Sequence, residues 1–341
     1  MADLGRGRGS RPGGRCALSS TLVTGGRGFV GAWLCRALLE RGDEVSCFDR
    51  RGPHDRPSTL SMLGLEGEVD SREGDLLDAG LLRRVIAERG IDTIFHLAAE
   101  TIVGTVQADP SAGFDTNVRG TWTLLEAARA ERVERVVFAS SDKAYGAHDE
   151  LPYREDIALR PTAPYEASKA AADQIARSCW PSYGLPVAVT RFANIFGGGD
   201  LNFSRLVPEA VCAAIEGRSP VLRSDGSPVR DLLYVEDAAR AYLAIADSLD
   251  RDDVRGVAFN AGGERPYSVL EIVGAITRLA GTGVEPEVRG AGNPAGEIDR
   301  QFVDATRIRE RCGWSPEHTL EEGLERTIAW YRDHPEARPG R

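Results

Sequence analysis

Cysteine pairs are missing from this sequence. Its six cysteines, Cys16, Cys35, Cys47, Cys179, Cys212 and Cys312, form no CxxC pair and no Cys/His cluster, which argues against a zinc site and against a secreted disulfide framework. No metal is therefore expected, and reduced, mostly structural thiols point to a cytoplasmic protein. No apolar run approaches the eighteen or so residues of a membrane span. Residues 1–18 are rich in Gly and Arg and lack an apolar stretch, so they read as a flexible tail and not as a signal peptide. Excess positive charge is absent too. A net charge of −10 gives no general electrostatic reason to hold nucleic acid or an anionic membrane, so any phosphate on a ligand must be met by particular basic residues.

What is present suits a large α/β unit or two domains: 341 residues, 42% of them hydrophobic, can bury a substantial core. Apolar runs alternate with helical patterns as βαβαβαβαβ, which predicts a doubly wound parallel sheet with ligands at the carboxyl ends of its strands. The first strand ends at Thr21-Leu22-Val23-Thr24 and passes directly into Gly25-Gly26-Arg27-Gly28-Phe29-Val30-Gly31 and an amphipathic helix. Glycines at 25, 28 and 31 meet the demand for a tight turn, close backbone approach to a pyrophosphate, and a helix N-terminus facing the anion. The strand before and the helix after are the context that this pattern requires.

The second strand, Glu44 to Phe48, ends in Asp49. An acid there accepts hydrogen bonds from ribose hydroxyls and repels a 2′-phosphate, favouring NAD over NADP; Arg50 and Arg51 follow directly and offer that phosphate a partner. Asp75 and Leu76, after the third strand, are placed at the adenine edge, with a loop or helix cap as the other role for Asp75. Leu97, Ala98 and Ala99 form a small-residue turn against which a flat cofactor can lie, and His96 reads as a satisfied strand-end residue. Asn117, before a long helix through Arg129, is a buried polar bridge beside the same site.

The chain is organised around Ser140-Ser141-Asp142-Lys143-Ala144-Tyr145-Gly146 and Pro164-Tyr165-Glu166-Ala167-Ser168-Lys169, at the mouth of the fifth strand. Tyr165 and Lys169, at i and i+4, share a helical face. An ammonium near a phenol lowers its pKa, so Tyr165 is expected to act as base toward a substrate hydroxyl, with Ser141 bonded to the same oxygen.

Together with Arg230-Asp231-Leu232-Leu233-Tyr234-Val235-Glu236-Asp237, these motifs resemble the extended short-chain dehydrogenase/reductase family, in particular its nucleotide-sugar-modifying members, over residues 19 to about 335. Dehydratases of that family carry an acid/base pair after the hydroxyl. Asp142-Lys143 resembles the Asp-Lys of members similar to CDP-glucose 4,6-dehydratase, as does Arg191 to Asp200. The resemblance implies an NAD-dependent 4,6-dehydration in which Lys143, made neutral by burial, removes the C5 proton and Asp142 protonates the departing C6 hydroxyl. An epimerase or decarboxylase using Ser141, Tyr165 and Lys169 is the alternative. It implies a nucleotide-diphosphate hexose as substrate, met by Asn194, glycines 197–199, Arg205, Arg230 and Arg300. It also implies a homodimer paired through segments 111–130 and 164–180. An NAD-binding region is expected over residues 19–190 and a mainly substrate-binding region over 191–341, with 230–262 returning to the first.

Overall fold

Strands and helices alternate along the first half of the chain in the computed structural model, which describes residues 19–50, 57–263, 265–292 and 298–339. The tail 1–18 and Arg51 lie outside them. Strand β1 (Ser20–Thr24) leads to α1 (Phe29–Arg41), β2 (Glu44–Asp49), the short α2 (Thr59–Met62), β3 (Asp70–Glu73), α3 (Ala79–Arg89) and β4 (Thr93–His96). Helices α4 (Val103–Ala108) and α5 (Pro110–Phe114) follow, then a π-helical turn over Asp115–Arg119, α6 (Gly120–Ala130), β5 (Arg135–Ala139), a 3₁₀ turn over Asp142–Tyr145, and α7 (Pro164–Tyr183).

The second half contains β6 (Val187–Phe192), β7 (Asn194–Phe196), α8 (Leu206–Ile215), β8 (Val221–Leu222), β9 (Val229–Arg230) and β10 (Leu232–Tyr234). Next come α9 (Val235–Asp247), β11 (Ala258–Ala261), β12 (Tyr267–Ser268), α10 (Val269–Ala280), β13 (Glu287–Val288), β14 (Arg300–Gln301), α11 (Thr306–Cys312) and α12 (Leu320–Asp333).

Seven strands form one parallel sheet in the order β11-β6-β5-β4-β1-β2-β3. The near-continuous burial of Leu22, Val23, Ile94, Phe95 and Val136 to Phe138 follows from helices covering both faces. One face packs under α1 and α9 around Leu34, Leu38 and Tyr242; the other packs under α3, α6 and α7 around Ile86, Leu124 and Ala172. A third core joins α8, α10 and α12 through Val211, Ile276 and Ile328, and Trp33 of α1 enters it. β11 lies at the sheet edge beside β6, so a late piece of chain completes the cofactor sheet. β14 sits beside β9, pairing Gln301 with Arg230 in register.

Thiols at Cys35, Cys47, Cys179, Cys212 and Cys312 are free. Among the described residues no helix is long and apolar enough to cross a membrane, and no group of three or more His, Cys, Asp and Glu could hold a metal.

Candidate active site

The strand order reverses between β1 and β4, and a cleft of about 730 Å³ opens at the carboxyl ends there, the crevice where open α/β sheets bind ligands. Gly25, Gly28, Phe29, Val30 and Gly31 line it, as do Asp49, Arg50, Asp75, Leu76, Leu97, Ala98, Ala99 and Arg205. The glycine turn leaves no room for a side chain. A Cβ on Gly31 would stand 2.2 Å from the Gly25 carbonyl oxygen, and one on Gly25, at φ +76°, 2.7 Å from the Ala98 amide nitrogen. The cradle therefore fits a group that must approach backbone closely, and the opening of α1, with Gly28 as its cap, faces it.

Asp49 ends β2 with one oxygen accepting from the Arg27 amide at 3.2 Å and the other from the Arg50 amide at 2.8 Å. Burial raises its pKa despite those bonds. Asp75 lines the cleft, and its Oδ1 accepts from the Leu77 amide at 2.9 Å, the loop role anticipated for it. Asn117, in contrast, is buried and directed into the protein. Its Oδ1 accepts from the Glu100 amide at 2.7 Å, and its Nδ2 donates to the Glu100 carbonyl at 3.0 Å and to Ser168 Oγ at 2.9 Å, so it braces the cleft wall instead of lining it. His96 is buried between Thr24 and Thr121, at 2.7 and 3.0 Å. Desolvation, aided by the Lys169 charge, lowers its pKa to about 3, which keeps it neutral.

The reactive residues gather where β5 ends. Ser141 caps the 3₁₀ turn by accepting from the Lys143 amide at 3.2 Å, and its hydroxyl donates to Asp142 Oδ1, also at 3.2 Å. Asp142 is 2% exposed, with Oδ2 buried and unpartnered. Desolvation pushes its carboxyl up to about 6, outweighing the Lys143 charge and the Ser141 hydrogen bond. Lys143 is half-buried, not buried as anticipated, and its Nζ donates to Gln301 Oε1 at 2.8 Å.

Tyr165 and Lys169 project from the first turns of α7, where Pro164 occupies the first position and Glu166 accepts from the Thr162 and Ala163 amides. The expected lowering of the Tyr165 pKa is not found. Burial pushes the phenol up to about 12, opposed by the Arg205 charge and a hydrogen bond from Ser141. Lys169 Nζ donates instead to the Ala139 carbonyl at 2.6 Å, above the Phe138 ring, and desolvation lowers its own pKa to about 8.

The remaining anticipated ligands divide. Arg205 reaches the cleft and pairs with Asp200 at 3.0 Å. Arg230 donates to the Val229 and Asp299 carbonyls, and its charge acts on Asp142. Asn194 Nδ2 donates to the Asp231 carbonyl at 3.3 Å. Arg300 is exposed and lies over the Phe302 ring, outside the cleft lining. The glycines at 197–199 serve packing: the Gly198 carbonyl accepts from Trp33 Nε1 and the Gly199 carbonyl from Thr59.

Behind the reactive patch lies a buried network that no local motif announces. Arg191 pairs with Asp173 through two bonds of 2.8 Å and donates to the Tyr145 hydroxyl at 3.2 Å; Tyr145 donates to Asn260 Oδ1 at 2.7 Å, and the Asn260 main-chain amide donates to Glu155 Oε1 at 2.9 Å. These bonds tie α7, β6, the 3₁₀ turn and β11 together. Asp231 is a second buried carboxyl, raised to about 6 by desolvation with Asp142 adding to the shift. Its signal in the sequence was only an acid beside Arg230.

The model of the family described as "NAD dependent epimerase/dehydratase family" matches residues 21–262. A relative from Streptomyces griseus named dTDP-glucose 4,6-dehydratase is 35% identical over 317 residues, covering 92% of this chain and 94% of its own length. Among solved structures, dTDP-glucose 4,6-dehydratase from Bacillus anthracis, in complex with NAD, aligns at TM-score 0.82 and 30% identity, covering 94% of this chain and 98% of that one. UDP-glucose 4-epimerase from Thermotoga maritima, with UDP-glucose, aligns at TM-score 0.83 and 27% identity, covering 92% and 99%.

Proposed function

Since the chain belongs to the NAD-dependent epimerase/dehydratase family, we propose that it is a nucleotide-sugar 4,6-dehydratase forming a 4-keto-6-deoxyhexose. The observation that carries this reading is the Asp142-Lys143 pair: a buried carboxyl that keeps its proton to about pH 6, next to an amine held on a neutral acceptor. An acid and a base side by side are what an elimination of water needs.

The residues that would hold NAD are the glycine turn, Asp49 and the Leu97 to Ala99 wall. When bound, NAD supplies the acceptor for the C4 hydrogen and the donor that returns it at C6. Tyr165 takes the proton of the C4 hydroxyl while Ser141 bonds the same oxygen. Lys169, with its pKa near 8, exchanges a proton readily close to neutrality and sits one helical turn along the same face. The new ketone acidifies the C5 hydrogen, which Lys143 removes as Asp142 protonates the C6 oxygen, and water leaves. The proton on Lys143 then returns to C5 as C6 is reduced. No net oxidation results.

Arg205 and Arg230 are the candidates for the substrate diphosphate. Incubation with CDP-, dTDP-, UDP- and GDP-hexoses, followed by detection of the 4-keto product, tests the reading; epimerisation without any keto product would overturn it. An epimerase of the same family is the second reading, favoured by the likeness to the Thermotoga maritima enzyme, and replacement of Lys143 separates the two by abolishing dehydration while sparing epimerisation. We also infer a homodimer, because Phe114 and Trp122 on α5 and α6 expose large apolar side chains (37 and 50%) within the segment 111–130 expected to pair, and Tyr183 (63%) does so at the end of α7, just beyond the second segment. A sizing measurement giving only monomer would exclude it.

A further inference from the structure

Lys143 and Lys169 are the only two lysines among the 42 Lys and Arg residues of the sequence. Arginines supply the ion pairs around the site, Arg191 with Asp173 and Arg205 with Asp200. Both lysines rest their ammonium groups on neutral acceptors, Lys169 on the Ala139 carbonyl and Lys143 on the Gln301 amide. Arginine stays charged in a protein, whereas lysine gives up its proton when its surroundings permit. Both lysines of the sequence thus stand in the patch after β5, where the proposed reaction transfers protons.

Gln301 is held rigidly for this task. It is fully buried in β14, its main chain sits in register with Arg230, and its carbonyl accepts from the Asp231 amide at 3.1 Å. An ammonium is a donor only, so it fixes Oε1 as the atom facing Lys143. The other end of the amide, Nε2, is buried without a partner, as is Oδ2 of Asp142, the residue that precedes Lys143 in the chain. Two orphaned polar atoms of opposite kind, a donor and an acceptor, thus belong to the residue bonded to Lys143 and to its chain neighbour. A fold that needed Gln301 only as packing would not strand them there.

We propose that Gln301 is a positioning residue for Lys143, a neutral acceptor that aims its amine without holding it charged. A carboxylate at the same place would form a buried ion pair and favour the ammonium; an apolar residue would let the four-carbon chain swing. The charged and titratable groups around this turn are centred on Asp142, the neighbour of Lys143: the Arg230 charge of β9 opposes the burial that raises its pKa, and its own charge adds to the burial that raises Asp231 of the β9–β10 link, Tyr153 and Tyr165. A neutral partner for Lys143 adds no further charge to that set. The inference deepens the dehydratase reading and rests on it for the C5 step.

Two measurements on wild type, Gln301→Glu and Gln301→Met test it. The first is the pH dependence of Lys143 acylation by acetic anhydride, read by peptide mass with Lys169 as the internal reference. The second is turnover of the nucleotide hexose in deuterium oxide, read as keto product and deuterium at C5 against pH. For Gln301→Glu the Lys143 acylation midpoint and the acidic limb of turnover should both move upward by about one pH unit or more, with Lys169 unmoved. For Gln301→Met turnover should fall on the order of 10²-fold through kcat with KM unchanged, and the Lys143 acylation midpoint should not rise. Coincident Lys143 midpoints in wild type and Gln301→Glu, or a Met variant that turns over like wild type, would overturn the proposal. If Gln301→Glu does not fold, the kcat and KM of the Met variant decide it. If the wild-type enzyme yields no keto product from any hexose, the dehydratase reading falls, and the acylation result alone decides the role of Gln301.

Discussion

The cofactor cradle, at the carboxyl end of β1, and the reactive patch, at that of β5, belong to the same edge of the sheet and are built in opposite ways. The cradle is a single uninterrupted turn, Gly25 to Gly31, braced against its neighbours by a few backbone contacts such as Gly25 to the Phe48 carbonyl at 2.9 Å. The patch draws on β5, α7, β9, β10 and β14, and its decisive bond joins residues 158 positions apart. Steric exclusion does the work in the first, so its properties are local and tolerant of charge. Burial does the work in the second, where Asp142, Asp231, Tyr165 and Lys169 all have pKa values displaced mainly by desolvation. A cradle can be recognised from spacing; an electrostatic patch exists only once distant segments have excluded water.

The contrast can be broken or sharpened experimentally. The largest effect is expected from Tyr165→Phe, which removes the proton acceptor and should lower kcat by about 10²- to 10⁴-fold while NAD binding, titrated by fluorescence, stays intact. Wild-type turnover in that variant would show that the patch does not work as drawn. Asp173→Ala removes the partner of the fully buried Arg191 and should lower unfolding free energy by roughly 3–5 kcal/mol, measured by denaturant titration; a loss near zero would show that the network behind the site is not a brace.

Gly31→Ala sets a Cβ against the Gly25 carbonyl and should weaken NAD binding by roughly 1–3 kcal/mol, about ten- to hundredfold in Kd, with little change in the pH profile. A pH-dependent loss would mean that the cradle is not purely steric. For Asp142→Asn the prediction is one of sign. Burial raises the Asp142 pKa from 3.8 to about 6, so the folded chain binds that proton more tightly than the unfolded one. The stability this confers is fully present below about pH 4 and is lost as pH rises through about 6. Relative to wild type, the Asn variant should therefore gain up to about 3 kcal/mol between pH 4 and pH 7, read from paired melts at each pH. The smallest effect is expected at Asp49→Asn, where about 1 kcal/mol of NAD affinity is lost: the Asn oxygen keeps one of the two backbone amides that hold the side chain, and the other amide loses its acceptor.

Much of the molecule could be read from residues alone, for identifiable reasons. The glycine turn, the acid ending β2 and the β5-to-α7 motif are short-range patterns whose meaning depends on neighbours a few positions away. The state of those residues was less legible. Tyr165 was expected to have its pKa lowered by Lys169, but the ammonium is taken by the Ala139 carbonyl and desolvation dominates the phenol. Gly198 and Gly199 offer their carbonyls to Trp33 and Thr59, and Arg300 lies exposed over Phe302. None of these outcomes has a local sequence signal, since each depends on which side chain arrives from another element.

The amino-acid sequence by itself determined the alternation of strands and helices, the glycine turn after the first strand, and the presence of an acid next to a lysine after the fifth strand, because propensity, periodicity and turn sterics act within a few residues. Only the tertiary structure decided that Asp142 keeps its proton to about pH 6 and that Lys143 meets a buried amide from β14 in place of a carboxylate. Proton affinity is set by the surrounding dielectric and by charges brought within a few ångströms, and those are fixed only when the chain has closed around the site.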